Sequence, residues 1–139
     1  MEEITRATAL KSLLDDEKLC DLTLKGSDGV TVPSLRGMLG ARSPVFRSML
    51  FGNFSEAASS SVTLGYEGSV LRALVEYIYT DDCEVFHKKE FDSGLAKTLV
   101  GLADAANYFG LPDLYKNAKD LAFSVVRSRP CLAYNALSH

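Results

Sequence analysis

The sequence predicts an α+β fold: a small three-stranded sheet flanked by helices, with a C-terminal helical hairpin. Three observations carry this expectation. Two stretches that alternate apolar and polar residues, Cys20-Asp21-Leu22-Thr23-Leu24-Lys25 and Val30-Thr31-Val32, flank a turn at Gly26-Ser27-Asp28-Gly29. A third β-like run, Ser61-Val62-Thr63-Leu64, stands apart from them. The remaining apolar residues recur at helical spacing, without the regular strand–helix alternation of a doubly wound sheet.

At the start of the chain, Ile4, Ala7, Leu10, Leu13 and Leu14 are interleaved with Glu2, Glu3, Arg6 and Lys11, which predicts an amphipathic helix over about 2–14. Its apolar stripe needs a surface to lean on. In the hairpin, the Asp28-Gly29 pair supplies the positive φ that a tight connection demands. A short helix from Leu35 to Ala41 follows, with Leu35, Met38 and Leu39 on one face and Gly37 and Gly40 weakening it. Ser43-Pro44 is a sharper start signal, because Ser accepts from free helical N–H groups and Pro has its φ preset for the first helical position. That helix is expected to run through Leu50, with Gly52 closing it in the left-handed conformation. A polar loop, Ala57 to Ser61, then leads into the third strand.

Between Ser69 and Tyr79, the positions Leu71, Leu74, Val75 and Ile78 follow helical spacing, with Ser69 or Gly68 as the expected cap. After the acidic turn Thr80-Asp81-Asp82, a long helix starts near Ser93. Its stripe of Leu95, Leu99, Leu102, Ala103, Ala106 and Phe109 is stopped by Gly110. Pro112 begins another helix, carrying Leu114, Tyr115, Ala118, Leu121, Ala122 and Val125, and Pro130 bars its continuation. The two make an αα-hairpin. Residues 1–128 therefore read as one domain, and 129–139 as the stub of a following element.

The 139 residues, 47% hydrophobic and 24% charged, have the composition of one folded domain, not of a disordered or collagenous chain. Fifteen Lys plus Arg against 18 Asp plus Glu leave a net charge of −3, too weak and mixed to gather a polyanion, so no nucleic-acid partner is expected. Cys20, Cys83 and Cys131 form no C-x-x-C pair, which fits reduced thiols and a cytoplasmic or nuclear location. They read as small apolar fillers, Cys83 being the one expected at the surface. The acidic start Met1-Glu2-Glu3 does not resemble a signal peptide, and no apolar run approaches a membrane span, so no membrane association is expected. On that reading the sequon Asn53-Phe54-Ser55 is a chance match.

With two histidines, His87 and His139, the chain has almost nothing from which to build a catalytic triad or a metal cluster. No catalytic, cofactor-binding or metal-binding residues are expected, and no cofactor. Asp81-Asp82-Cys83-Glu84 lacks the spaced oxygen ligands and central Gly of a calcium loop and reads as a solvated turn. Gly26 and Gly29, like Gly37 and Gly40, lack the context of a phosphate-binding loop and read as turn and packing glycines.

Four motifs in order carry a resemblance: Cys20-Asp21-Leu22-Thr23-Leu24, Leu39-Gly40-Ala41-Arg42-Ser43-Pro44-Val45-Phe46, Phe54-Ser55-Glu56 and Tyr77-Ile78-Tyr79-Thr80-Asp81. Together the stretch from about Thr8 to Val126 resembles a BTB/POZ domain. The resemblance implies a protein-interaction module that homodimerises and, as in many members, docks a cullin-3 scaffold so that substrates bound by regions outside these residues are ubiquitinated. It implies no enzymatic activity of its own. In the family the N-terminal helix packs across a two-fold axis, which makes Ile4, Ala7, Leu10, Leu13 and Leu14 the expected dimer interface; the competing reading folds them back on their own core. Phe54-Ser55-Glu56 is similar to the hydrophobic-x-Glu motif of cullin adaptors, with Tyr79 and Asp81 as expected neighbours of that surface. The bland reading folds Phe54 onto its own domain and leaves Glu56 in solvent. One departure stands out: Leu35 occupies a position where the family usually has a histidine, removing a donor near Asp21. Arg36 is then the candidate charged partner of Asp21, as a structural pair or as separate surface charges. The alternative function is a dimerising scaffold or transcriptional regulator that binds no cullin.

Overall fold

The computed structural model describes residues 4–14, 16–52, 59–88 and 92–128. In chain order it contains α1 (Arg6–Ser12), a 3-10 turn (Glu17–Leu19), β1 (Leu22–Lys25), β2 (Thr31–Ser34), α2 (Arg36–Arg42), α3 (Pro44–Phe51) and β3 (Ser61–Thr63). Then follow α4 (Gly68–Thr80), a second 3-10 turn (Glu84–His87), α5 (Ser93–Tyr108) and α6 (Pro112–Ser128).

The alternation in the first strands produces the expected hairpin. β1 and β2 pair antiparallel with Leu24 opposite Val32, and Gly29 takes φ 83° in the loop. β3 joins the other side of β1 in parallel, Val62 beside Leu24, so the order is β2-β1-β3. Period-two geometry then places Leu22, Leu24, Val32 and Val62 on one buried face. The end of β2 and the start of β3 both lie beside the start of β1, and α2 and α3 belong to the connection that crosses over β1 between them.

α4 covers that face. It is buried at Val70, Leu71, Ala73, Leu74, Val75, Tyr77, Ile78 and Tyr79, apolar almost all round, as a helix enclosed by other elements must be. α5 and α6 pack against each other as the predicted hairpin, and Leu95, Ala96, Leu99 and Val125 make a second small core between them. Gly110 turns between the two helices at φ 73°, a conformation cheap only for glycine; an added Cβ there would also come within 3.2 Å of Pro44. Phe109 stacks on Phe46 of α3 with ring centroids 4.1 Å apart, locking the helical hairpin to the crossover.

Helix starts divide into local and long-range solutions. Ser43 behaves as expected: its Oγ accepts from Phe46 N at 3.1 Å and donates to Phe109 O at 2.6 Å, both fully buried. α4 departs from expectation. Gly68 and Ser69 lie inside the helix, Glu67 is the N-cap without a side-chain bond, and the cap comes from Asp28 in the hairpin loop, whose Oδ1 accepts from Gly68 N at 3.0 Å. Gly52 also differs. It closes α3 at φ −91°, ψ −156°, an extended conformation and not the left-handed one. The N-terminal helix, expected over 2–14, runs Arg6–Ser12 with Leu13 as its C-cap, and residues 1–3 lie outside the described residues. The two 3-10 turns were not anticipated. The stub 129–139, with Pro130 and Cys131, lies outside the described residues.

Ser43→Ala strands a buried N–H and a buried carbonyl at once, so it is expected to cost about 2 kcal/mol. Urea denaturation checks it: an unchanged midpoint would show that α3 does not depend on this cap.

Candidate protein-docking surfaces

The first turn of α2 is held by groups distant in sequence. Asp21 Oδ1 accepts from Arg36 N at 2.8 Å, and Leu35 N donates to the Tyr79 hydroxyl at 2.8 Å. Asp21 and Arg36 are thus brought together as expected, but through the main-chain N–H of Arg36. The guanidinium turns elsewhere: Nη1 donates to Leu50 O at 2.9 Å and Nη2 to Ser59 O. Leu35, where a histidine was missed, is half-buried and packs against the main core, its amide satisfied by Tyr79.

Tyr79 therefore leaves the docking surface on which it was expected. It is 4% exposed, its ring on the core face of α4 and its hydroxyl spent on Leu35 N; burial pushes its phenol up to about 12. Asp81 fits the expectation of an exposed residue. It caps α4 in the left-handed conformation, φ 63°, and Arg42 at the end of α2 binds its carboxylate while lying 5.7 Å from the Tyr77 ring centre. Tyr79 thus touches the start of α2 and Asp81 its end, about 10 Å apart along the helix axis. Phe54, Ser55 and Glu56 lie outside the described residues. Immediately before them stands Phe51, a residue the sequence reading passed over. It is 56% exposed, and its ring lies across Gly40 of α2, where an added Cβ would come within 2.7 Å of it. The signal for it was an aromatic off the buried stripe of Phe46 and Leu50.

The N-terminal stripe splits in two. Ile4 is 73% exposed, and Leu10 and Leu13 are half-buried. Leu14 is a correction: at 4% exposure it belongs to its own core, because the chain turns after α1 and Arg72 Nη1 donates to Leu14 O at 2.8 Å. The Ala7 side chain lies outside the described residues. Beneath α1, an open cleft of about 710 Å³ is bordered by Thr8 and Lys11 on one side and Arg72, Glu76, Glu84 and His87 on the other.

Cys83, expected at the surface, is 1% exposed; its thiol donates to Ala73 O at 3.2 Å. The chain drops back onto α4 just after the exposed Asp81 and Asp82, too abrupt a change to read from composition. Burial pushes this thiol up to about 12, with Glu76 and Asp82 adding to the effect. Among the described residues no group of side chains is arranged to hold a metal ion, and no helix is long and apolar enough to cross a membrane.

A three-stranded sheet with a two-helix crossover, a buried α4 and a closing helical hairpin is an architecture shared with known proteins. The BTB/POZ domain family model matches residues 10–122. The chain belongs to the BTB/POZ domain family. Its curated relatives include Inhibitor of Bruton tyrosine kinase from Homo sapiens, 31% identical over 101 residues that cover 70% of this chain and 8% of that protein. Kelch-like protein 2 from Mus musculus is 28% identical over 130 residues, 93% of this chain and 20% of that protein. The BTB domain thus spans a fifth or less of these relatives. Among solved structures, the BTB domain of human gigaxonin superimposes with a TM-score of 0.59 at 24% identity, covering 81% of this chain and 84% of that one. The BTB domain of zebrafish PATZ1 gives 0.60 at 17% identity, covering 89% and 98%. The family is one of protein-interaction modules. Among the described residues the large apolar side chains left exposed are Ile4 and Phe51, on the two surfaces above, and Leu19, Val30, Tyr108 and Phe123 elsewhere.

Two outcomes follow for the buried titratable groups. In a Cys131→Ser background at pH 8, an aromatic disulfide reagent is expected to label Cys20 in the native protein and Cys83 only after denaturation; equal rates would show that the end of α4 opens. The Cys83 thiol and the Tyr79 phenol lie at about 12 when folded, against 9.0 and 10.0 for the free groups, so the folded state favours their protonated forms. Their contribution to stability is present below about pH 9 and lost as pH rises toward about 12, which urea titrations across that window measure.

Proposed function

We propose that this BTB domain homodimerises and acts as a substrate adaptor for a cullin-3 ubiquitin ligase, in the cytoplasm or nucleus, with the substrate bound by regions outside this chain. The observation that carries the reading is Phe51, an exposed aromatic at the end of α3 directly ahead of Phe54-Ser55-Glu56. An apolar side chain at the root of that segment is what a docking surface for another polypeptide requires, and full burial of a Phe contributes about 1.5–3 kcal/mol. Phe54 is the proposed anchor, Glu56 selects a partner with cationic or donor-rich groups, and the exposed Asp81 is their proposed neighbour. The Kelch-like relatives, which match over 93% of this chain, support the adaptor reading.

The dimer half rests on α1. Ile4 is largely exposed and Leu10 half-covered, although α1 packs against α4 beside an open cleft. A second copy packed isologously on Ile4, Ala7, Leu10 and Leu13 covers the stripe that a lone subunit leaves open.

Titration calorimetry against a cullin-3 N-terminal domain tests the adaptor reading. Phe54→Ala and Glu56→Lys are each expected to weaken binding about tenfold or more while leaving the circular dichroism spectrum unchanged. Absence of heat with the unmutated chain would overturn it in favour of a scaffold or transcriptional-regulator role. Light scattering at micromolar concentration is expected to report a dimer, and Ile4→Asp a shift toward monomer; a monomeric unmutated chain would remove the dimer proposal.

A further inference from the structure

We propose that Arg36 is a positioning residue, a clamp that fixes the separation between the end of α3 and the entry to β3; its consequence for binding rests on the adaptor reading above. Two carbonyls on opposite sides of residues 51–58 accept from one guanidinium, Leu50 O at 2.9 Å from Nη1 and Ser59 O from Nη2. Leu50 O lies in the last turn of α3, where carbonyls have no intrahelical partner. Ser59 immediately precedes the residue whose carbonyl accepts from Thr23 N at 2.8 Å, the bond that begins the pairing of β3 with β1. The clamp therefore sits at both roots of the segment that carries Phe54-Ser55-Glu56.

The choice of residue follows from geometry. A guanidinium is a rigid fork with donors on separate nitrogens, whereas an ammonium is a point charge on a flexible stem. Spanning two carbonyls from different elements is work for the fork. Arg36 is itself aimed: its backbone N–H is held by Asp21 on the strand side, and the preceding amide by Tyr79 from α4. Fixing both ends of a binding segment before the partner arrives lowers the ordering entropy that association must overcome.

Amide exchange and a double-mutant cycle test this together. In Arg36→Met, the Thr23 amide, bonded to Ser60 O, and the Gly52 amide, bonded to Ser48 O, are expected to exchange about tenfold faster. The Leu64 amide, bonded to Lys25 O at the far end of the same pairing, is expected to keep its rate, and Arg36→Lys to recover only part of the protection. Unchanged rates at Thr23 and Gly52, or equal acceleration at Leu64, would overturn the clamp. In calorimetry with the cullin-3 domain, Arg36→Met is expected to weaken binding about tenfold alone and to add little to Phe54→Ala, since it acts through the placement of that anchor. Full additivity would overturn the link to binding. If the unmutated chain binds no cullin, the adaptor reading falls while the exchange rates still decide the clamp.

Discussion

The constraint on which the rest depends is α4, a helix that exposes almost nothing. A helix buried on one face needs one partner layer; one buried at eight of its apolar positions has to be enclosed. The sheet covers one side, α5 another, and α1 and α2 pack on it as well, so the elements close around a single rod. The Gly68 amide at its N-terminus is given no bond by the side chain of its own N-cap residue, Glu67. Asp28 reaches back from the hairpin loop to satisfy it.

Enclosing α4 also decides which side chains remain for partners. Tyr79 and Cys83, near its C-terminal end, are drawn inward, and each spends its polar atom on a nearby backbone group, Leu35 N and Ala73 O. Asp81 escapes because it takes the left-handed conformation that ends the helix. Within five residues the chain alternates between deep core and open surface. α1 packs on α4 less evenly: Leu14 is fixed there by Arg72, and Ile4 ahead of the helix stays largely exposed.

What was legible in the sequence follows the same division. Signals whose physics is local came through: Ser43-Pro44 starting α3, Asp28-Gly29 turning the hairpin, Gly110 and Pro112 separating the last two helices. Signals that depend on a distant partner did not. α2 is capped by Asp21, just ahead of β1, and α4 by Asp28, residues 15 and 40 positions away. Periodicity identified the core stripe of α4 at Leu71, Leu74, Val75 and Ile78 but had no means of showing that Tyr77 and Tyr79, off that stripe, are also covered. Phe51 was missed for the converse reason: hydrophobicity suggests burial, and its exposure depends on where α2 lies.

Phe51 also shows how a surface can be shaped from beneath. Its ring rests against Gly40, and the absence of a side chain there lets the aromatic lie close to α2. Gly40 is a poor helix residue, costing about 1 kcal/mol relative to alanine. Alanine in its place would recover that propensity and push the ring away from the helix, since the new methyl would sit 2.7 Å from Phe51 Cε2. The glycine that weakens α2 as a helix is therefore what allows an aromatic side chain to approach it so closely.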